Sequence, residues 1–551
     1  MYDKLVFSVY YFLMKKIILS TLALSALALT SCSFINIVSS SSEPAPASSS
    51  NEPSSSKEPA IISSTYENYV KNSVYYESAI PTSVKKNKYL VLPLWFTDSP
   101  SLIKEGETKE SIHTNISIAF NGTTEETGWN SVKTFYQTES GGNKEFDFTI
   151  ADWYDCGYDS SYVAGDQNDA DVSRDTERII KRTIDNYFTT HTDEDRKDYD
   201  ADGDGYLDAV AIVYGIQNYK SDFDFARYYH RRPSASYTNL WAYVYWLQDP
   251  SVQNVNSPGA NAYLWASYDF ANVSSKQPEG YPVKVDAHAY IHETGHLFGL
   301  DDYYDYTGSN KPAGGFSMQD YNVGMHDPYS VISLGWGDIK VPKESETISI
   351  QPFTSSRQVI LLSPDYQNSI FDEYLLLEYY TADGLNELDS TYAFEGTYPK
   401  GPKAAGIRVW HVDARLAYKL GRGYDYDYSE RQITNKIDTQ YYYNMLCRNN
   451  TYAAGKDADY FSPLAGRKNY ADYNLLDLIR KDDTLALTHR EKIKHDLNAD
   501  SLFLAGESFD MDTYKHCFVE RGRLDSGVDL GWTFTVDSIS SESATITVTK
   551  L

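Results

Sequence analysis

Apolar and polar positions along the 551-residue chain change period in a readable order. Tyr89 to Phe96 is a nearly continuous apolar run of strand type, with Pro93 expected at an edge or a bulge because proline cannot donate to a ladder. Val132, Phe135 and Tyr136 then recur at helical spacing within 128–140, and Phe146 to Ile150 reads as a short strand. Across Ser173 to Thr189, Ile180, Ile184, Tyr187 and Phe188 fall at i, i+4, i+7 and i+8 behind Asp175 and Glu177, which predicts a helix. Ala209 to Tyr214 and Leu240 to Leu247 read as two further strands, and Val285 to Tyr306 opens on another helix. From Thr347 the texture becomes short strands: Thr347 to Ile350, Val359 to Leu362, Glu373 to Tyr379, Ile407 to Val412, Leu502 to Leu504, Thr533 to Val536 and Thr545 to Val548. A polar, Tyr-rich insertion over about 417–500 holds one helical stretch, Tyr473 to Arg480. This order predicts an α+β fold: a mixed twisted sheet with helices over 64–340, then a β-rich, sandwich-like domain over 341–551.

The N-terminus adds a destination. Met14-Lys15-Lys16, the apolar run Ile17 to Leu29 and Thr30-Ser31-Cys32 compose a secretory signal peptide over 1–32 ending in a lipobox, with Met14 expected as the true start and Cys32 as the lipidated residue. An uncleaved membrane anchor is disfavoured, because Lys15 and Lys16 would interrupt the span. Residues 33–63, rich in Ser, Pro and Glu, are too poor in apolar surface to fold and read as a disordered tether. The protein is therefore expected on the extracellular face of a bacterial membrane, touching the bilayer only through its lipid. Lys plus Arg is 49 and Asp plus Glu is 77, a net charge of −28, which excludes nucleic acid and anionic headgroups as natural partners. Beyond Cys32, the widely spaced Cys156, Cys447 and Cys517 indicate no disulfide framework.

Two stretches carry candidate chemistry. Asp200-Ala-Asp202-Gly-Asp204-Gly-Tyr206-Leu-Asp208 sets oxygen ligands at alternating positions with glycines between them, as a calcium loop does, Tyr206 offering its carbonyl. Ala211 stands where an EF-hand needs a bidentate Glu, so this is a single structural loop leading into a strand. The second stretch is His292-Glu293-Thr294-Gly295-His296. Histidines four apart on a helix share a face, so both imidazoles can reach one zinc ion while Glu293 beside them serves as general base. Gly299 can end the helix and turn the chain so that Asp302 returns as third ligand. Asp301, Asp305 and His326 are alternatives, whereas no Glu occurs between Glu293 and Glu344 to serve as a distant ligand.

His292-Glu-Thr-Gly-His296-Leu-Phe-Gly299-Leu-Asp-Asp302-Tyr-Tyr-Asp305 resembles the active-site segment of the immune inhibitor A family of bacterial secreted metallopeptidases. The likeness extends to Asp200–Tyr214, Ser317-Met318, Leu334-Gly335-Trp336 and Gly406–Asp413, covering roughly residues 85–420. It implies a zincin-like catalytic domain over 64–340 with an Asp in place of the third metzincin histidine. It also implies Met318 as the hydrophobic Met-turn residue below the metal, although Gln319-Asp320-Tyr321 follows where Gly or Ser is expected. His411 and Asp413 are expected to be structural. Tyr321 and His326 are candidate oxyanion donors. The expected activity is zinc-dependent hydrolysis of extracellular proteins or peptides by a monomer, with Glu293 assisting the attack of water. The competing expectation is a surface-binding lipoprotein on a vestigial protease fold, disfavoured because Glu293 is intact.

Overall fold

In the computed structural model, β1 (Lys86–Trp95) is buried at every position from Tyr89 to Trp95. A strand reads as unbroken apolar sequence when both of its faces are covered. Tyr89, Val91 and Trp95 enter one core, and Leu90, Leu92 and Leu94 enter another. The first core holds Ile112 and Ile116 of the helix Lys109–Asn121, Phe135 of Val132–Glu139 and Ile291 of His288–Leu297. The second holds Ile179, Ile180 and Ile184 of the helix Ala170–Thr190. The sheet therefore separates two helical layers.

The remaining strands of this sheet are β2 (Glu145–Ile150), β3 (Tyr154–Asp155), β4 (Val210–Tyr214), β5 (Tyr243–Trp246) and β6 (Ala262–Ser267). Their order is β2-β1-β4-β6-β5, parallel except for β5, with β3 continuing beside β1. Pro93 thus lies in a central strand, not at an edge. Its tolerance comes from the ladder: Leu90 N–H and Leu94 C=O face β4, whereas Val91 and Trp95 carbonyls accept from Ala151 and Cys156 on the other side. Pro93 shares the second orientation and falls where pairing has left Ile150 and has not resumed at Tyr154. No donor is needed there.

The described residues are 65–73, 80–229, 236–247, 250–305, 310–419, 432–437, 441–447, 473–483 and 495–551. The signal, Cys32, the tether and much of the Tyr-rich insertion lie outside them. Among them no helix is long and apolar enough to cross a membrane, and Cys156, Cys447 and Cys517 are not joined in disulfides.

After β7 (Asp338–Lys340) come β8 (Glu346–Ile350), β9 (Gln358–Leu362), β10 (Glu373–Tyr380) and β11 (Gly406–Asp413). The helical stretch expected over Tyr473–Arg480 is instead a strand, Leu476–Ile479, antiparallel to β11 at the sheet edge and wholly buried. Its period is two: Leu476 and Leu478 join one core and Ile479 the other, so tertiary pairing overrides local pattern. Leu502–Leu504 contributes only a single bridge, Phe503 to Ile407. The hairpin Trp532–Ile539 and Ala544–Lys550 pairs with β8 and shares an apolar core with β9, β10 and β11. The opposite faces of β10 and β11 supply Leu376, Trp410 and Val412 to the core that also holds Leu297 and Met318. One apolar interior therefore runs past position 340, and Ser64–Leu551 form one compact unit.

Candidate metal centre

The helix His288–Leu297 is pinned to its surroundings by hydroxyls. Tyr290 Oη donates to Ser267 O at the end of β6 (2.8 Å), Tyr136 Oη donates to Ile291 O (2.7 Å), and Tyr89 of β1 meets Thr294 Oγ1 at 3.1 Å. Its C-terminus closes on Gly299, where φ is +92°. Gly299 N–H donates to His296 O (2.9 Å) and Leu300 N–H to Gly295 O (3.2 Å), the two reversed bonds of a Schellman turn. A Cβ on Gly299 would also lie 2.7 Å from Val70 Cγ2.

That turn reverses the chain and returns Asp302 to the helix. Its Oδ1 lies 3.0 Å from His292 Nε2 and 3.2 Å from His296 Nε2, and the two Nε2 atoms are 3.1 Å apart. The other ring nitrogens are committed: His292 Nδ1–H donates to Met318 O (2.7 Å) and His296 Nδ1–H donates to Leu300 O (2.7 Å). A donor at Nδ1 leaves Nε2 with its lone pair, the tautomer a metal-ligating histidine needs. Two imidazole lone pairs and a carboxylate oxygen this close repel one another unless they share a cation. Ligands about 2.0–2.1 Å from a tetrahedral zinc stand about 3.3 Å apart, close to the spacing here, so the donor set fits that metal in type and span.

The electrostatics agree. Burial would raise the Asp302 carboxyl, but the His296 and His292 imidazoles outweigh it and hold the group well below its ordinary range. Burial would lower His296, but Asp302 and then Glu293 push it up to about 10. Glu293 is 7 % exposed, its Oε2 is buried without a hydrogen-bond partner, and burial raises its carboxyl above the ordinary value against the pull of His296 and His292. A general base needs such an unsatisfied, weakly hydrated oxygen.

Met318 is fully buried and holds His292 through its backbone carbonyl. His326 is also fully buried. Its Nδ1 lies 2.8 Å from Glu139 Oε2 and its Nε2 lies 3.1 Å from Gln319 Oε1, so both ring nitrogens are engaged within the protein and neither is turned to a substrate. Tyr321 packs against Tyr304 and Tyr398 with the Lys311 ammonium over its ring. Asp305 is 2 % exposed and accepts from Asn310 N–H, apart from the His292, His296 and Asp302 group. Sequence reasoning passed over Gln319, whose Nε2 lies 3.3 Å from His296 Nδ1. The signal was its place immediately after Met318, where a small residue was expected.

Of the acidic loop, Asp200, Asp202 and Asp208 bring oxygens within 4.8 Å of one another, with Gly203 and Gly205 at φ +71° and +91°. Asp204 Oδ1 is turned instead to accept from Tyr206 N–H (2.8 Å). Asp200 Oδ1 is buried without a hydrogen-bond partner, and burial pushes the Asp208 carboxyl up to about 7. Lys71 Nζ lies 2.7 Å from Asp202 Oδ2.

A third group, Glu373, His411 and Asp525, is satisfied from within. Glu373 accepts from Asp525 and Ser526 N–H and lies 2.8 Å from His411 Nε2, with Arg415 3.8 Å away. It reads as a structural clamp, as expected for His411. Asp413 is bound instead by Arg415, at 2.7 Å through each oxygen. No family model matches the chain, and no curated protein matches it.

Proposed function

We propose that this protein is a zinc-dependent endopeptidase, held by a lipid on Cys32 at the outer face of a bacterial membrane and acting on extracellular proteins or peptides. The observation that carries the reading is the pairing of two centres: three ligand atoms within 3.0–3.2 Å of one another, and beside them a buried, partnerless carboxylate oxygen on Glu293. The chain carries the metal-binding helix beside a mixed sheet in the manner of a zincin, and a sandwich-like arrangement of its C-terminal sheets completes the proposal.

His292, His296 and Asp302 would hold the zinc. When bound, the metal supplies a Lewis acid that polarises a carbonyl and acidifies water. Glu293 Oε2 receives the proton of the attacking water and returns it to the amine nitrogen as the peptide C–N bond breaks. Its raised affinity for a proton suits both halves of that exchange. The backbone acceptors Met318 O and Leu300 O keep both imidazoles in the ligating tautomer throughout. Asp200, Asp202 and Asp208 would hold a calcium ion that closes the loop entering β4, with the Tyr206 carbonyl as a further oxygen.

The test is hydrolysis of denatured casein by the purified protein, with and without a zinc chelator, beside Glu293→Ala. Cleavage that stops in both cases supports the proposal. Stoichiometric zinc with no hydrolysis of any member of a broad peptide library would overturn it and favour a surface-binding lipoprotein.

A further inference from the structure

Behind the ligand His296 runs a line of buried polar side chains that the proposed chemistry does not use. Glu139, the last residue of the helix Val132–Glu139, is fully buried, as are His326 and Gln319. Glu139 accepts from His326 N–H at Oε1 (2.9 Å), and its Oε2 lies 2.8 Å from His326 Nδ1. The Gln319 amide bridges onward, 3.1 Å from His326 Nε2 and 3.3 Å from His296 Nδ1.

Donors and acceptors along this line can be assigned from its two ends. His326 Nδ1–H donates to Glu139 Oε2, and a neutral ring in that tautomer presents Nε2 as an acceptor. His296 Nδ1–H donates to Leu300 O, so the amide atom facing it must accept as well. Amide oxygen and nitrogen are told apart by their partners. As placed, Gln319 Oε1 faces His326 Nε2 and Gln319 Nε2 faces His296 Nδ1. Exchanging these two near-isosteric amide atoms turns the oxygen toward His296 Nδ1–H and the NH2 toward His326 Nε2, and satisfies both ends. The opposite orientation would set the NH2 against the His296 N–H. The helix is also shaped around this side chain. Gly295 is a helix-interior glycine, and a Cβ there would collide with the Gln319 amide.

We propose that Glu139, His326 and Gln319 form a buried positioning relay that reinforces the tautomer set by Leu300 O, holds the ring orientation of His296 and so tunes the metal centre from three side chains away. The inference rests on the zinc reading above. Each link is directional. Glu139 selects the His326 tautomer, His326 selects the amide orientation, and the amide oxygen draws on the His296 N–H, making Nε2 a better ligand. None of the three touches substrate, so they are positioning residues.

The experiment measures zinc affinity by chelator competition and the visible spectrum of the cobalt-substituted protein. It uses the full wild-type chain, Glu139→Gln, Gln319→Met and the double variant, with thermal unfolding of each metal-free form as the control for folding. Glu139→Gln alters one atom of the carboxylate but sets an N–H against the backbone or ring N–H of His326. We expect zinc affinity to fall about 10- to 100-fold in each single variant, with a changed cobalt spectrum. The double variant should be no weaker than Gln319→Met, because a relay already cut cannot transmit the second change. Stoichiometric wild-type zinc with unaltered affinity and spectrum in the variants would overturn the relay alone, and so would additive losses in the double variant. A wild-type chain that binds no zinc would overturn the metal reading and the relay with it. Should Gln319→Met fail to fold, Glu139→Gln decides by itself.

Discussion

At the scale of single residues, Glu293 and Gly295 make opposed demands on one helix. Glu293 is buried with Oε2 lacking a hydrogen-bond partner, a costly state for a carboxylate that His296 and His292 only partly offset, and the proposed general-base role accounts for it. Glu293→Gln should keep zinc stoichiometry and lower kcat by about 10²–10⁴-fold, the range for loss of a general base; steady-state kinetics with metal analysis on one sample would check it. Intact turnover would remove Glu293 from the reaction. Gly295 reverses a familiar expectation. A helix-interior Gly→Ala normally gains about 1 kcal/mol, but here the added Cβ meets Gln319. Gly295→Ala should therefore destabilise the protein and weaken zinc binding together. A rise in melting temperature with unchanged zinc affinity would contradict that. The spacing of His292, Glu293 and His296 was legible in the sequence because i, i+4 geometry needs nothing beyond the helix. Gln319 was not, because its role exists only where two distant segments touch.

At the scale of elements, two turns do most to place the ligands. The Schellman closure at Gly299 returns Asp302, and the short helix Tyr66–Lys71 packs over it, with Tyr66 Oη donating to Gly299 O (2.7 Å). Gly299→Ala, at φ +92° and 2.7 Å from Val70 Cγ2, should lower the melting temperature by several degrees and cost zinc affinity. The acidic loop is the second turn. Added calcium should raise the melting temperature of the wild type and leave Asp200→Ala unmoved, and calorimetry with and without calcium would separate them. A cation there must also displace the Lys71 ammonium from Asp202, 2.7 Å away. Lys71→Met is thus expected to bind calcium more tightly than wild type by isothermal titration; weaker binding would show that the ammonium is not a competitor. The loop and its strand were legible as a local pattern. The strand Leu476–Ile479 was not, since its fate was decided by the free edge of β11.

At the scale of the whole molecule, the interior concentrates groups that hold protons more tightly folded than unfolded. Burial alone would lower His288, but Asp286 and then Asp389 push it up to about 10, while it stacks on Trp129 with ring centroids 4.2 Å apart. Burial raises Asp320 to about 7. For His288 the contribution is complete below an unfolded value of about 6.5 and is lost as pH rises through 10. For Asp320 stability falls as pH rises from about 3.8 to about 7. Lys144 opposes them: burial lowers it to about 7, so its part favours the fold increasingly between about 7 and 10.5. The melting temperature of the metal-free protein should depend on pH between 6.5 and 10, and His288→Gln should weaken the falling part of that dependence, which His296 and His411 share. A variant whose profile matches wild type in that window would show His288 to be neutral when folded.

By itself the sequence determined what is local: strand and helix periods, a loop of alternating acids, two histidines one turn apart and a glycine fit to end their helix. These follow from bond geometry and burial pattern over a few residues. Tertiary structure alone decided what depends on distant partners. It set Pro93 at a break between β2 and β3, made Leu476–Ile479 a strand, joined one core across position 340, and brought Gln319, His326 and Glu139 up behind His296. Hydrogen-bond donors and sheet edges are satisfied by whichever group packing delivers, and packing is a property of the whole chain.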